Sequence, residues 1–528
     1  MTATGTKHRL NRSWVRSEEL ALTEEESEIL AMTVLTDPPT YPISAAAARQ
    51  LDRPLFGHFV DGEALPSIEG GTMPVIDPAT GAQVATAAAG SAADVERAVR
   101  SARAAFDDGR WRHLPPLEQE RRLRKLAALI AEHGDELAEL DVIDSGLLRL
   151  YAGFIVQFAV DGIEYYAGWP SKLHGSIPAV PREFAVYQVR EPLGVVGAIM
   201  PWNGPTAAAA MSLFALCAGN SVVLKPAEQT PMTALRVAEL ALEAGIPPGV
   251  FNVVQGTGEA VGAGLVAHPE VDAITFTGSN PTGRAISSAA SARVKRVTLE
   301  LGGKSPSIIF PDADLDAASA AAMAGVWGAS GQVCTCGTRV LVHESVHDEV
   351  VGRIVEQSRG IRIAGGFDPD ADMGPVVSAD QLERVQRYVR IGQDEGAELA
   401  LGGSRHGDRG FFHEPTVFTG VRNEMRIAQE EIFGPVMGVL KFSSEEEAYR
   451  IANDVEYGLA AGVWTSDLAL AHRAGRALRV GTVWVNTYQM VYPSVPYGGV
   501  KQSGHGRNLG EASLDEFTQT KSIWMKVG

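Results

Sequence analysis

The chain has 528 residues, 45% hydrophobic and 21% charged, with 46 Lys and Arg against 64 Asp and Glu for a formal net charge of -18. That mix fits a soluble globular protein of roughly three lobes, and its acidity argues against a nucleic-acid or anionic-membrane partner, since both need a positive face. Three cysteines cannot build a disulfide framework, no apolar run of about 18 residues is present, and the start MTATGTKHRLNRSWVRSEEL lacks the apolar stretch of a secretory signal, so the cytoplasm is expected.

Residues 1–50 read as an appendage, polar and then Pro-rich at TDPPTYP. One short helix is expected from Thr23, where Glu26 completes a capping box before Ile29, Leu30 and Met32. SAADVERAVRSARAAF then spaces Val95, Val99, Ala102 and Phe106 at helical intervals with Ser91 as cap. QERRLRKLAALIAEHG repeats the pattern with Leu123, Leu126 and Ile130 and stops at Gly134. The middle of the chain changes to short apolar runs: LGVVGAIM, NSVVLKP, GVFNVVQG, VDAITFTGS, RVTLEL and SPSIIF, with helical stretches such as MTALRVAELALEAG between several of them. Continuous apolar strands alternating with helices predict an α/β fold with a parallel sheet covered on both faces. A second α/β series follows through TRVLVHESV, AAGVWTSD and VGTVWVN.

Open parallel sheets bind ligands at the carboxyl ends of their strands, and four turns there stand out. MPWNGP holds Trp202 and Asn203 between prolines, LKPAEQTP ends on Lys225 and offers Glu228, FTGSNPTG sets Gly278, Ser279 and Gly283 before a helix, and LELGGKSP carries Glu300. The 278–283 turn reads either as a shortened phosphate loop or as a tight strand–helix connection. Lys225 reads as a reach toward a hydroxyl or phosphate, or as a solvated strand end. A carboxylate in an apolar strand incurs desolvation unless it is partnered or functional, which singles out Glu300.

Two cysteines, Cys334 and Cys336, lie in GQVCTCGTR. Zinc needs about four ligands and no second pair is present, so no metal site is expected. A bridge between positions i and i+2 would be strained. Cys217, in SLFALCAGN, reads as a buried helix residue. A nucleophile is the reading that remains for Cys334.

PWN, KPAE, FTGS, LELGGK, GQ-x-C, EEIFGPV and P-Y-G-G-x-K-x-S-G-x-G-R follow one another in this order. Together they resemble the NAD(P)-dependent aldehyde dehydrogenase superfamily, from about Phe56 to the end of the chain. The resemblance implies a Rossmann-like dinucleotide-binding domain (51–167 and 191–301), an α/β catalytic domain (302–505) and a small β oligomerisation extension (168–190 and 506–528). That extension would assemble a homodimer or homotetramer. Cys334 matches the nucleophile, Glu300 the general base and Asn203 the oxyanion donor. Trp202, Lys225, Glu228, Ser279, Glu431 and Phe433 match positions around the dinucleotide, and Ile199, Gly258, Gly278, Gly283 and Leu301 complete the expected cofactor set. The implied chemistry is thiolate addition to an aldehyde, hydride transfer from the hemithioacetal to nicotinamide, and hydrolysis of the thioester by water that Glu300 activates. Retention of Glu300 favours the carboxylic acid over transfer to coenzyme A. Glu228 favours NAD over NADP by repelling a 2′-phosphate.

The chain departs from that pattern on the substrate side. Gly204 stands where the family usually has Phe, alanines line TAAAAMSLFAL, and Gly328 stands where an aromatic is common. The expected pocket, with Gly204, Ala208, Met211, Trp327, Gly328 and Tyr497, is a wide one suited to a bulky, apolar or aromatic aldehyde. The alternative is that Met211, Trp327, Tyr488 or Tyr492 fills the gap. Cys336 stands where many relatives have Ala, as a packing residue or a resolving thiol, and DSGLLRLY is expected to reshape a surface near the tunnel mouth. Two other functions stay open: a coenzyme A-acylating semialdehyde dehydrogenase, and a catalytically silent binding protein on the same fold.

Overall fold

The computed structural model describes residues 41–528. The helix expected from Thr23 lies outside the described residues. Ala45–Leu51 is a helix capped by Ser44. Ser44 also ties this helix to the body, because its N–H and hydroxyl both donate to Glu139 on the helix Gly134–Ser145.

The apolar runs of the middle region form one sheet. Val195–Ile199, Ser221–Lys225, Phe251–Val253, Ala273–Thr277 and Arg296–Glu300 are mutually parallel. The first three are buried throughout, Ala273–Thr277 up to its last residue and Arg296–Glu300 from Thr298 onward, as continuous hydrophobic strands under helices on both faces must be. From the central strand Val195–Ile199 the chain builds outward through Ser221–Lys225 and Phe251–Val253. It then returns to the other side of that strand with Ala273–Thr277 and Arg296–Glu300. The order therefore reverses between Val195–Ile199 and Ala273–Thr277, and a crevice opens at such a switch point. Gly504–His505 pairs antiparallel on the outer edge, against Leu299 and Glu300.

A second sheet runs in the order Glu398–Leu401, Thr416–Thr419, Val436–Phe442, Arg339–His343, Pro306–Ile309, Ala460–Trp464, Thr482–Val485. It is parallel except for its first pair. The chain passes from one sheet to the other through Leu301–Ser305, all buried. Two distant segments, Phe184–Pro192 and Thr518–Lys526, pair antiparallel along their whole length as a separate ribbon. Among the described residues no helix is long and apolar enough to cross a membrane.

Candidate active site

Glu300 ends its strand, and the chain that follows is stripped of side chains so that other groups can come close. A Cβ on Gly303 would collide with the Cys334 carbonyl oxygen, and the Gly303 N–H donates to Glu431 Oε1 at 2.9 Å. The double glycine thus lets the nucleophile segment and a carboxylate lie directly on the connection behind Glu300. Asn203 reaches the same segment from the carboxyl end of the central strand, its Nδ2 donating to the Gln332 carbonyl at 2.9 Å. The Gln332 side chain in turn accepts the Val377 N–H at 2.9 Å. The Tyr497 hydroxyl stands 3.2 Å from the Cys334 sulfur, and the next residue, Gly498, lies against Glu300. A Cβ there would sit 2.5 Å from Glu300 Oε1. Cys334, Glu300, Asn203 and Tyr497 therefore meet in one cleft between the two sheets.

The electrostatics of this cleft are those of a dry site. Burial pushes the Cys334 thiol up to about 12; the Tyr497 hydrogen bond opposes the shift, while Glu431 and Glu300 add to it. Glu300 is 4% exposed, and neither of its carboxylate oxygens has a hydrogen-bond partner among the described residues. Burial raises it well above the usual carboxylate range, offset in part by Arg507 and the nearby N–H groups of Gly499 and Asn508. Burial thus raises the proton affinity of both groups, and the Glu300 carboxylate, without a hydrogen-bond partner among the described residues, is in its ionised form a strengthened base toward whatever enters. Glu431 is pushed to about 7 by burial, against the Gly303 N–H, Arg384 and Lys304. Its loop is fixed by Arg384, whose guanidinium donates to the Glu431 and Ile432 carbonyls. The loop also carries Phe433 at φ +62, a conformation uncommon for a bulky residue.

A sequence profile described as the Aldehyde dehydrogenase family matches residues 66–523. The chain belongs to the aldehyde dehydrogenase family. Bacillus subtilis "Putative aldehyde dehydrogenase DhaS" is 45% identical over 471 residues, 89% of this chain and 95% of that protein. The NAD+ complex structure of an aldehyde dehydrogenase from Bacillus cereus superposes with a TM-score of 0.91 at 41% identity, covering 93% of this chain and 100% of that one. A P. syringae indole-3-acetaldehyde dehydrogenase, solved as a cysteine-to-alanine mutant with NAD+ and IAA, gives 0.89 at 41% identity, covering 91% and 99%. The protein is an NAD(P)-dependent aldehyde dehydrogenase.

In this aldehyde dehydrogenase most of the expected cofactor residues stand at or just beyond the carboxyl ends of the first sheet's strands, with Glu431 and Phe433 on the loop before Val436–Phe442 of the second sheet, and their chemistry fits a dinucleotide. Ile199 and Lys225 end adjacent strands, and Lys225 Nζ donates to Glu228 Oε2 at 2.8 Å, leaving the other Glu228 oxygen outside this bond. Ser279 caps the helix Asn280–Ser291, accepting from the Thr282 N–H, so a helix N-terminus is presented as anion sites require. Space is open beside Gly258, where a Cβ would meet nothing within 4 Å. The Trp202 and Phe433 rings meet edge to face, 5.3 Å between centroids. Gly278 and Gly283 do less than the loop reading expects. Their missing side chains are taken up by Phe276 and Leu301, so both serve strand–helix packing rather than an open cradle.

The substrate side needs one correction. Trp327 does not line this pocket: it is 1% exposed, lies in the core of the second sheet and donates from Nε1 to Ser358 Oγ at 3.0 Å. The indole N–H needs a partner when buried, and Ser358 on the helix His347–Ser358 supplies it. At Gly328 a Cβ would meet the Ala324 carbonyl oxygen at 3.0 Å. Tyr492 is exposed, and Tyr488 sits behind the nucleophile segment, its hydroxyl donating to the Thr335 carbonyl at 2.9 Å. What approaches Gly204 is Ile155, its Cδ1 3.4 Å from a Cβ at 204. Ile155 and Tyr151 belong to the helix Arg149–Ala167, and burial raises the Tyr151 phenol, with the neighbouring Cys336 and Cys334 adding to the shift. Neither had been singled out, although Tyr151 closes the segment DSGLLRLY.

Proposed function

We propose that this aldehyde dehydrogenase oxidises a bulky, apolar or aromatic aldehyde to the carboxylic acid, with NAD as the preferred cofactor. Tyr151, Ile155, Met211 and Tyr497 would form apolar and aromatic walls, while Gly204, Ala208 and Gly328 leave the space those walls enclose. The single observation that carries the reading is the placement of the Cys334 sulfur beside Tyr497 with the unpartnered Glu300 carboxyl next along.

The thiol proton passes to Glu300, and the Cys334 sulfur bonds to the aldehyde carbon while the carbonyl π pair moves to oxygen. The Asn203 amide and the Cys334 N–H hold that oxyanion, each such donor contributing ~3 kcal/mol. When bound at the switch point, the dinucleotide supplies the hydride acceptor. Once an acyl thioester stands on Cys334 and Glu300 has released the thiol's proton to solvent, the carboxylate takes a proton from water, the hydroxide adds to the acyl carbon, and the C–S bond breaks to return the thiolate, which is reprotonated from Glu300. Glu228 would set a carboxylate beside the ribose and against a 2′-phosphate, and this supports NAD. The free Cys334, Cys336 and Cys217 support a reducing compartment such as the cytoplasm. Exposed Tyr187, Trp524 and Met525 on the two-stranded ribbon support assembly into a homodimer or homotetramer through that face.

NADH formation over a panel from acetaldehyde to large aromatic aldehydes, with Cys334→Ala as control, tests the reading. A clear preference for acetaldehyde sinks the wide pocket. Turnover that requires coenzyme A would move the enzyme to the acylating class.

A further inference from the structure

Tyr497 offers more than an aromatic wall. A wall needs no hydroxyl, yet the phenol oxygen lies 3.2 Å from the Cys334 sulfur and is the one side-chain hydrogen-bond partner of that sulfur among the described residues. The tyrosine is fixed at both backbone groups, its N–H donating to the Asn508 carbonyl at 2.7 Å and its carbonyl accepting the Asn508 N–H at 2.8 Å. Gly498 follows immediately and lies against Glu300. One short segment thus spans the nucleophile and the base.

We propose that Tyr497 is a catalytic residue, its hydroxyl donating a hydrogen bond to the Cys334 thiolate and stabilising it before the aldehyde arrives. The inference rests on Cys334 being the nucleophile. A phenol can accept from a neutral thiol or donate to a thiolate, and only the second favours the charged form. The phenol keeps its own proton, because burial and the charges of Cys334 and Glu300 raise it well above the ordinary tyrosine value. Proton balance is simple: the S–H bond breaks, its proton goes to Glu300, and the Tyr497 O–H turns toward the sulfur without leaving its oxygen. When the sulfur bonds to carbon its charge is spent, and the hydroxyl is released.

A hydrogen bond to a charged group shifts a titration by roughly one to two pH units, so the test reads the thiol directly. Alkylation of Cys334 by iodoacetamide, followed by mass spectrometry on the full chain without cofactor or aldehyde, gives a rate against pH. In Tyr497→Phe the alkylation rate at neutral pH is expected to fall roughly 10- to 100-fold, the equivalent of raising the thiol's titration by about one to two units. An unchanged rate overturns the proposal. If Tyr497→Phe melts early, Tyr497→Leu also lacks a donor and is read by the same two outcomes. Failure of the nucleophile reading shows separately, as aldehyde oxidation surviving in Cys334→Ala.

Discussion

Replacing Gly204 with phenylalanine should reverse the substrate preference of this enzyme. A Cβ at 204 already lies 3.4 Å from Ile155 Cδ1 and 3.7 Å from its Cγ2, so an added ring cannot turn toward that helix and must project into the pocket. An aromatic aldehyde then loses on the order of 100 Å² of apolar contact, which at about 25 cal/mol per Å² costs roughly 2.5 kcal/mol, or ~70-fold in kcat/KM. Acetaldehyde has one methyl to bury, ~0.8 kcal/mol, and should change by no more than about fourfold. The assay is the ratio of kcat/KM values for a large aromatic aldehyde and acetaldehyde, with thermal melting and NAD binding as controls for the fold. If that ratio stays the same in a folded variant, position 204 does not face the substrate and the pocket argument is wrong.

Other variants probe the rest of the cleft. Glu300→Gln removes the base and should lower kcat by ~10²–10⁴. Because burial raises Glu300, the wild-type carboxyl ionises only toward higher pH, so hydrolysis should fall as pH drops through that raised value. The acid limb should vanish in the glutamine variant, and its persistence would assign the titration to another group. Glu228→Ala should raise the NADP-to-NAD efficiency ratio by ~10-fold, about 1.4 kcal/mol; a constant ratio would show that this carboxylate does not face the ribose. Gly498→Ala meets both a φ of +154 and the Glu300 carboxylate, strain that ~1–3 kcal/mol describes. A kcat reduced ~10- to 100-fold is expected, and wild-type turnover would mean Glu300 can work from elsewhere.

The strands and the chemistry were legible because each carries a local mark. Apolar runs of sheet length declared the two α/β series, and a carboxylate in such a run declared Glu300. The double glycine behind it is explained by contacts that sequence does not display, since only the fold brings Glu431 and the Cys334 carbonyl onto it. Trp327 was misplaced for a plain geometric reason: it adjoins Gly328 in sequence, but successive helical residues point about 100° apart, and Trp327 faces the core. Tyr151 and Ile155 were missed because their helix reads as ordinary amphipathic packing. Nothing in its spacing says that one face meets Gly204, some fifty positions later in the chain. The Lys225–Glu228 pair, three residues apart, could have been read as an ion pair from spacing alone, whereas the Tyr497 hydroxyl on sulfur could not.

The helix bearing Tyr151 and Ile155 contributes none of the reacting groups, yet it stands opposite Gly204. On the proposed reading, that helix can tune specificity without disturbing a reacting group. A small saturation library at codons 151, 155 and 204 can search new aldehydes while leaving Gly303, Gly498 and the sulfur's surroundings intact. Diversifying the glycine connection instead would spend most clones on protein that cannot assemble its cleft.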